Sequence, residues 1–594
     1  MARKIYKGGE YLIAEGSCQD VFTPEDFNDE QRQLADTIEQ FVDNEVMPNV
    51  DKLENHDLEL MVRLLRRSGE LGLIMIDAPV EYGGLDLNKA TSMLASEKVS
   101  RYGGFMVSYM VLNGIGILPL VYYGTDDQKE KYLEKLITGE WMSAYCLTEP
   151  DAGSDALGAK TSATLSADGK HYVLNGTKQF ITNGGFADLY TVFAKVDRKK
   201  FTAFLVERTF PGVNPGPEEN KMGIKGSSTT QVILEDVHVP VENVLGEIGK
   251  GHKIAFNVLN VGRFKLGAAV TGNAKHAFIE AVKYSNVRKQ FGVPIRTFGA
   301  VKEKIADMAA VIFASESLVY RLSGMIDDRL AFIPKGTRDS YEELQKGIEE
   351  YATECAIAKV FCSEMLSRVV DEVVQIHGGY GFLREYAAER YYRDERVNRI
   401  FEGTNEINRI LIAGTLLKRA AQGEIPFMRE MQFALDALES YDAGERDSTL
   451  PYSAEKKLLR NLKHLFLAIA GAAVEKFADR LKDEQEVLSA MADVAINIFA
   501  LESAVLRAEK ISGMPSFTRN EALAAAVKIL AFNTGEETAA AARKATLFIE
   551  EGENVGRILN GILGHGRYDA SGLLAAKRQL ADAILEEEKY IFRN

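Results

Sequence analysis

Apolar side chains recur three or four positions apart from Asn28 onward. Leu34, Ile38, Phe41 and Val42 share one face, and this spacing predicts an amphipathic helix. Leu58–Leu71, Ala90–Ser100 and residues 128–138 follow the same period, with a Gly-punctuated loop from Pro79 to Leu87. Between about 141 and 249 the period changes. Short β-branched and aromatic runs alternate with NG and DG pairs, predicting a small all-β domain joined by hairpins. The helical period returns at 250 and holds to 418, clearly at Ile305, Met308, Ala309, Ile312 and Phe313. It appears again over 430–594, where Leu458, Leu459, Leu462, Leu465, Phe466 and Ile469 form a stripe. The expected fold is multidomain α+β: a packed arm over 1–27, an α-helical domain over 28–140, a small all-β domain over 141–249, a helical region over 250–418, and an additional helical domain over 430–594. The polar stretch Ser440 to Ser453 is the best candidate boundary before that last domain.

A chain of 594 residues exceeds one compact core. Its net charge of -15 argues against a general nucleic-acid binder, which needs a basic face. Cys18, Cys146, Cys355 and Cys362 have neither CxxC spacing nor a His cluster, so reduced thiols and no metal site are expected. The N-terminus lacks an apolar core of signal-peptide length. No stretch approaches ~18–20 consecutive apolar residues, so no membrane span is expected and the location reads as cytoplasmic. Lys456, Lys457, Arg460 and Lys463, near the start of a helix, admit two readings: a solvated face, or peripheral membrane contact through the C-terminal domain.

Five segments carry candidate chemistry. YCLTEPDAGSD (Tyr145 to Asp155) offers a hydroxyl and turn amides that could meet a flat polar ring or phosphates, or it is a loop with good turn chemistry. QFITNGG (Gln179 to Gly185) reads as a hairpin whose Phe180 and Thr182 could face a ligand. RKQFG places Arg288 at a helix end, either complementing the dipole or clamping a pyrophosphate. QIHGGYGF (Gln375 to Phe382) ends a helix with glycines that serve a C-cap, a close ligand approach, or both. RIFEGTNEINRI sets Glu402 among Ile, Phe and Gly, where desolvation would raise its pKa; the alternative is a solvated residue before a helix that Thr404 caps.

In this order and spacing the segments resemble the acyl-CoA dehydrogenase family. YCLTEPDAGSD and IFEGTNEI look like its two signatures, and LGL near Gly72, PVEYGG near Tyr82, QFITNGG, RKQFG and QIHGG fit its other landmarks over about 28–418. The region beyond 430 resembles the very-long-chain type. The resemblance implies an N-terminal α-helical domain, a middle β-barrel-like domain over 141–249 and a C-terminal helical bundle over 250–418, with FAD held between the β domain and the bundle and contacts from a second subunit of a homodimer. Tyr145, Cys146, Leu147, Thr148, Gly153 and Ser154 would hold the flavin ring and pyrophosphate region. Phe180, Ile181 and Thr182 would line the flavin, and Arg288 and Phe291 would reach the neighbouring subunit's FAD. Gln375, Ile376, His377, Gly378 and Gly379, together with Thr404, Asn405 and Glu406, would complete the adenine-side and pyrophosphate contacts. Ser154, Leu259, Asn260, Gly262, Arg263 and Phe401 would contact acyl-CoA.

Glu402 matches the family's catalytic base. Some members place the base on the helix that here carries Gly262, which cannot serve. Phe180 departs from the Trp of many relatives. The implied reaction is α,β-dehydrogenation of a long-chain fatty acyl-CoA to the trans-2-enoyl-CoA in fatty-acid β-oxidation. The FAD ribose hydroxyl and the Glu402 N–H would polarise the thioester carbonyl, and electrons would pass to an electron-transfer flavoprotein. The alternatives are an oxygen-using acyl-CoA oxidase and a silent acyl-CoA-binding scaffold. The helix Phe105 to Gly116 is expected to form part of the cavity floor, with Met106, Tyr109 and Met110 able to shorten it.

Overall fold

The computed structural model describes residues 3–334, 338–438 and 450–592. Most of the linker expected at Ser440 to Ser453 lies outside the described residues. Helices from Asp29–Phe41 to Asp126–Ile137 form the first block. Asn28 and Thr125 open these two helices with capping boxes, each satisfying amides that the first turn leaves unpaired. Ile38, Phe41 and Val42 are buried.

Eight strands follow: β1 Ser143–Cys146, β2 Ser162–Leu165, β3 His171–Thr182, β4 Leu189–Val196, β5 Lys200–Glu207, β6 Val213–Pro215, β7 Thr229–Pro240 and β8 Val244–Leu245. They form one sheet in the order β6-β7-β3-β2-β4-β5-β8, with β1 parallel to β4. Asp168-Gly169 does close a hairpin between β2 and β3. QFITNGG does not. β3 pairs with β2 and β7, while β4 beyond the turn pairs with β1, β2 and β5, so Asn183-Gly184 carries the chain across the sheet. Asn175-Gly176 lies inside β3 at a register shift. Asn183 has the positive φ of a turn, but its amide donates to Ser108 O of a neighbouring helix, so tertiary contact overrides the local hairpin signal.

The bundle consists of the Gly251–Val287, Gly299–Leu330, Ala352–His377 and Asn405–Ala421 helices, with the short Arg338–Glu349 and Ala387–Glu395 beside them. Ser453–Phe477, Gln485–Ser512, Asn520–Ile549, Glu553–His565 and Leu573–Glu587 add the last layer. One hydrophobic core runs from Tyr11 to Phe592. Among the described residues three stretches, Gly103–Tyr123, Gly299–Leu330 and Gln485–Ser512, are long and apolar enough to cross a membrane by length and composition. The expectation from consecutive apolar runs missed them, because scattered polar residues interrupt each run. Each is 83–94% buried in the fold, so its apolar surface is spent on packing. The basic helix start is engaged as well: Lys456 pairs with Glu509, Arg460 with Glu15, and buried Lys463 with Glu502.

The arm docks on the additional domain. Tyr11 packs edge-on against Phe499 with ring centroids 4.8 Å apart and donates to Ala495 O at 3.0 Å. Fully buried Arg507 binds Glu25 of the arm at 2.6 Å, Glu316 of the bundle at 2.7 Å and the Phe592 carbonyl at 3.1 Å. Replacing it leaves two buried carboxylates short of a cation. Arg507→Met should therefore destabilise the protein by about 3–5 kcal/mol, seen as a lower denaturation midpoint; an unchanged midpoint would refute the coupling.

Candidate functional site

Glu402 sits in a turn that local sequence disfavours. Its φ is 58° and that of Gly403 is 81°, two successive left-handed residues. A non-glycine residue there costs of order 1 kcal/mol, so tertiary contacts must hold it. Arg263 Nε donates to Glu402 O at 3.1 Å. Asn408 Nδ2 donates to Gly403 O at 2.8 Å and Thr404 O at 3.0 Å. Lys359 Nζ donates to Gly403 O at 2.8 Å and Asn405 Oδ1 at 2.6 Å. Thr404 then caps Asn405–Ala421, accepting from Ile407 N at 3.3 Å.

The residue as a whole keeps some exposure, but Glu402 Oε2 is buried and has no hydrogen-bond partner among the described residues. Burial pushes the carboxyl up to about 7, against the opposing pull of Arg263 and then Lys359. Gly262 makes the room. A Cβ there would lie 2.7 Å from Glu402 Oε2 and 3.0 Å from its carboxyl carbon. Burial in turn lowers the Arg263 guanidinium and brings Lys359 down to about 7. A carboxyl near neutrality, with one buried oxygen that has no hydrogen-bond partner among the described residues, is equipped to take a proton from carbon.

Among the substrate residues named from the sequence, Asn260 and Arg263 are buried, Leu259 and Phe401 half-buried, and Ser154 exposed. Arg263 turns its guanidinium to Glu402 O and Asn260 Oδ1, so its side chain braces the turn. Met106 packs in a small cluster with Ile224 and Ala269, against which Met110 and Phe401 lie. Tyr109 does not belong to a cavity floor. It is fully buried in the first helical block, donates to Leu73 O at 2.8 Å and stacks on Phe105.

On the sheet, Tyr145 is buried and donates to Ala255 O at 3.3 Å, joining β1 to the bundle. Cys146 and Ile181 face the sheet core, so only their backbones can meet a ligand; burial pushes the Cys146 thiol up to about 12. Leu147 is also buried, Thr148 half-buried, and Gly153 and Ser154 exposed. The loop is braced by two residues that the sequence reading did not single out. Fully buried Lys178 binds Leu147 O at 3.2 Å and Glu149 at 2.7 Å, and Glu149 accepts from Thr161 N at 3.1 Å. Phe180 stands at a break in the β3–β7 register with φ 58° and 63% exposure, and Thr182 follows half-buried.

A third group gathers where Gly251–Val287 and Ala352–His377 end. Buried His377 stacks on Tyr284 with ring centroids 4.2 Å apart, and the Arg288 guanidinium lies 5.1 Å from the Tyr380 ring centre. Gln375 is exposed, Ile376 buried, and Phe291 93% exposed. Arg288 lies 26 residues beyond Gly262 on one helix, hence about 39 Å along its axis. Gln375 lies 11 residues beyond Glu364, which accepts from Asn405, hence about 17 Å away. The Thr404–Glu406 and Gln375–Gly379 groups, expected to work together, are therefore not side by side. Arg288 and Phe291 cannot reach a flavin beside this chain's own Glu402.

These surfaces fit a large flat cofactor with phosphates. A Cβ added at Gly153, Gly378 or Gly379 would meet nothing within 4 Å, so nothing among the described residues crowds these positions. The exposed aromatic face of Phe180 and the Thr148, Thr182 and Ser154 hydroxyls add stacking surface and donors on the sheet, and Phe291 presents a separate aromatic face at the far end of Gly251–Val287.

Comparison with known proteins agrees. The acyl-CoA dehydrogenase N-terminal, middle and C-terminal domain models match residues 28–140, 144–237 and 249–417, and a further acyl-CoA dehydrogenase C-terminal domain model matches 461–563. The chain is 46% identical to a probable acyl-CoA dehydrogenase of Bacillus subtilis (strain 168), over 99% of this chain and 100% of that one. It is 36% identical to the human very long-chain specific acyl-CoA dehydrogenase, mitochondrial, over 82% and 76%. It matches the crystal structure of an acyl-CoA dehydrogenase complexed with FAD from Bacillus anthracis with a TM-score of 0.95 and 46% identity, covering 98% and 100%. On this fold and this likeness, the chain belongs to the acyl-CoA dehydrogenase family of FAD-dependent oxidoreductases.

Proposed function

We propose that the enzyme dehydrogenates long-chain fatty acyl-CoA to trans-2-enoyl-CoA in fatty-acid β-oxidation, with Glu402 as the base, and passes electrons to an electron-transfer flavoprotein. The observation that carries the base assignment is the Glu402 carboxyl: its Oε2 is buried and has no hydrogen-bond partner among the described residues, and Gly262 clears the space before it. The α-hydrogen of a thioester is weakly acidic, so the base must be aimed and the carbonyl polarised. Glu402 Oε2 would accept the α-proton while the Glu402 N–H donates to the thioester oxygen. Phe401, Met106 and Met110 would exclude water around the first carbons. Bound FAD, held by the Tyr145–Ser154 loop, Phe180, Thr182 and Thr404–Glu406, would supply the acceptor for the β-hydrogen.

The roughly 39 Å between Gly262 and Arg288 supports a homodimer, in which Arg288 and Phe291 serve the other subunit's cofactor. Long chains are supported by likeness to the human very long-chain enzyme and by the additional domain. Anaerobic titration of the holoenzyme with palmitoyl-CoA and octanoyl-CoA tests the reading. Flavin bleaching should follow, more completely at low palmitoyl-CoA; no bleaching with either would refute it, and preference for octanoyl-CoA would refute the chain length. Rapid reoxidation of the reduced enzyme by oxygen would favour the oxidase.

A further inference from the structure

Lys359, like Arg263, is a charged residue at this site that the reaction as drawn does not use. It lies on the Ala352–His377 helix within CAIAKVF, and the residue is fully buried. An ammonium costs several kcal/mol to bury, so it persists only where its protons are taken. Two go to the turn that displays Glu402: Gly403 O at 2.8 Å and Asn405 Oδ1 at 2.6 Å. Asn405 is itself held by Ser363 at 3.1 Å and Glu364 at 3.0 Å.

We propose that Lys359 is a positioning residue for Glu402, clamping the left-handed Glu402-Gly403 turn through Gly403 O and Asn405 while its charge stabilises the carboxylate before proton transfer. The inference rests on Glu402 being the base. Among the described residues two charged groups act on Glu402, Arg263 from Gly251–Val287 and Lys359 from Ala352–His377, and Glu402 in turn helps raise the buried Tyr145 phenol on β1. Lys359 in turn feels Glu402, Arg263, Glu364 and Glu406. Arg263 is committed to Glu402 O and Asn260, which ties it to the same turn from the opposite helix. The turn is therefore gripped by one cation from each of two bundle helices. Lys359 and Glu402 each feel the other's charge, so the proton on one changes the affinity of the other for its own.

The sign follows from the charge. Glu402 acts only when deprotonated, so the rate of flavin reduction rises with pH through its pKa. Removing a nearby cation disfavours the carboxylate and moves that rising limb to higher pH. The test is the limb in holoenzyme of wild type, Lys359→Gln and Lys359→Met, from about pH 5 to about pH 10. Both variants should shift it upward by at least about one pH unit. The glutamine variant, which can still donate to Gly403 O, should recover most of the wild-type rate at high pH. The methionine variant should stay about tenfold slower there.

Infrared spectroscopy gives a readout independent of turnover. The protonated-carboxyl band that Glu402→Gln removes should persist to higher pH in Lys359→Gln than in wild type. If neither lysine variant retains FAD, Asn405→Ala decides: with FAD content unchanged, it should be about tenfold slower at every pH, and a wild-type rate would overturn the clamp. A silent Glu402→Gln with an unmoved Lys359→Gln limb overturns this inference alone. A Glu402→Gln enzyme that still reduces its flavin overturns the base assignment and this inference with it.

Discussion

Glu402→Gln should bind FAD and acyl-CoA yet reduce its flavin about 10⁴-fold more slowly than wild type, because the amide cannot take the α-proton. The same substitution should raise stability in alkali. The folded protein holds the Glu402 carboxyl at about 7, above its value in the unfolded chain, so folding favours the neutral form. That contribution is fully present below the unfolded pKa of about 4.3 and is lost as pH rises through about 7. Above that, the native state carries a buried carboxylate that costs at most about 4 kcal/mol. Glutamine removes the cost. The variant should melt higher than wild type near pH 9 and no higher near pH 4. A lower melting temperature at both would mean that the carboxylate is structural, and retained flavin reduction would mean that the base lies elsewhere.

Gly262→Ala should slow flavin reduction by about 10²-fold without loss of FAD. The added Cβ would sit 2.7 Å from Glu402 Oε2, closer than carbon and oxygen approach. With Oε2 free of any hydrogen-bond partner among the described residues, the carboxyl is what gives way. An error of about 1 Å at the base is costly because proton removal needs the oxygen in line with the α-C–H. Alanine inside the long Gly251–Val287 helix would otherwise gain up to about 1 kcal/mol over glycine. A slow enzyme of undiminished melting temperature would therefore isolate the misplaced base. Wild-type turnover would show that Glu402 has room to spare and that Gly262 serves something else.

Glu402 was legible as a candidate because Ile400, Phe401 and Gly403 surround it, and the resemblance raised it above the other carboxylates. Its left-handed backbone was not, since nothing local favours φ 58° at a glutamate. Lys359 left a trace, a lysine inside an apolar helical run, but its partners lie more than 40 residues away in sequence. Tyr109 carried the opposite lesson. The helical period places it on an apolar face, and only packing against Leu73 and Phe105 reveals that the face points into the first helical block. QFITNGG had hairpin chemistry, yet β4 found its partners in β1, β2 and β5.

What the sequence determines by itself is therefore local and repetitive: where the period is 3.6 and where it is 2, and that helices enclose a β module. These follow from interactions within about four residues along the chain. What only the tertiary structure decides is the state of the site. Arg263 and Glu402 meet across 139 positions, Lys359 and Gly403 across 44, and Gly262 and the carboxyl of Glu402 come into contact only because two bundle helices are packed. Burial and charge set a carboxyl's proton affinity, and both are properties of the atoms around it rather than of its neighbours in sequence.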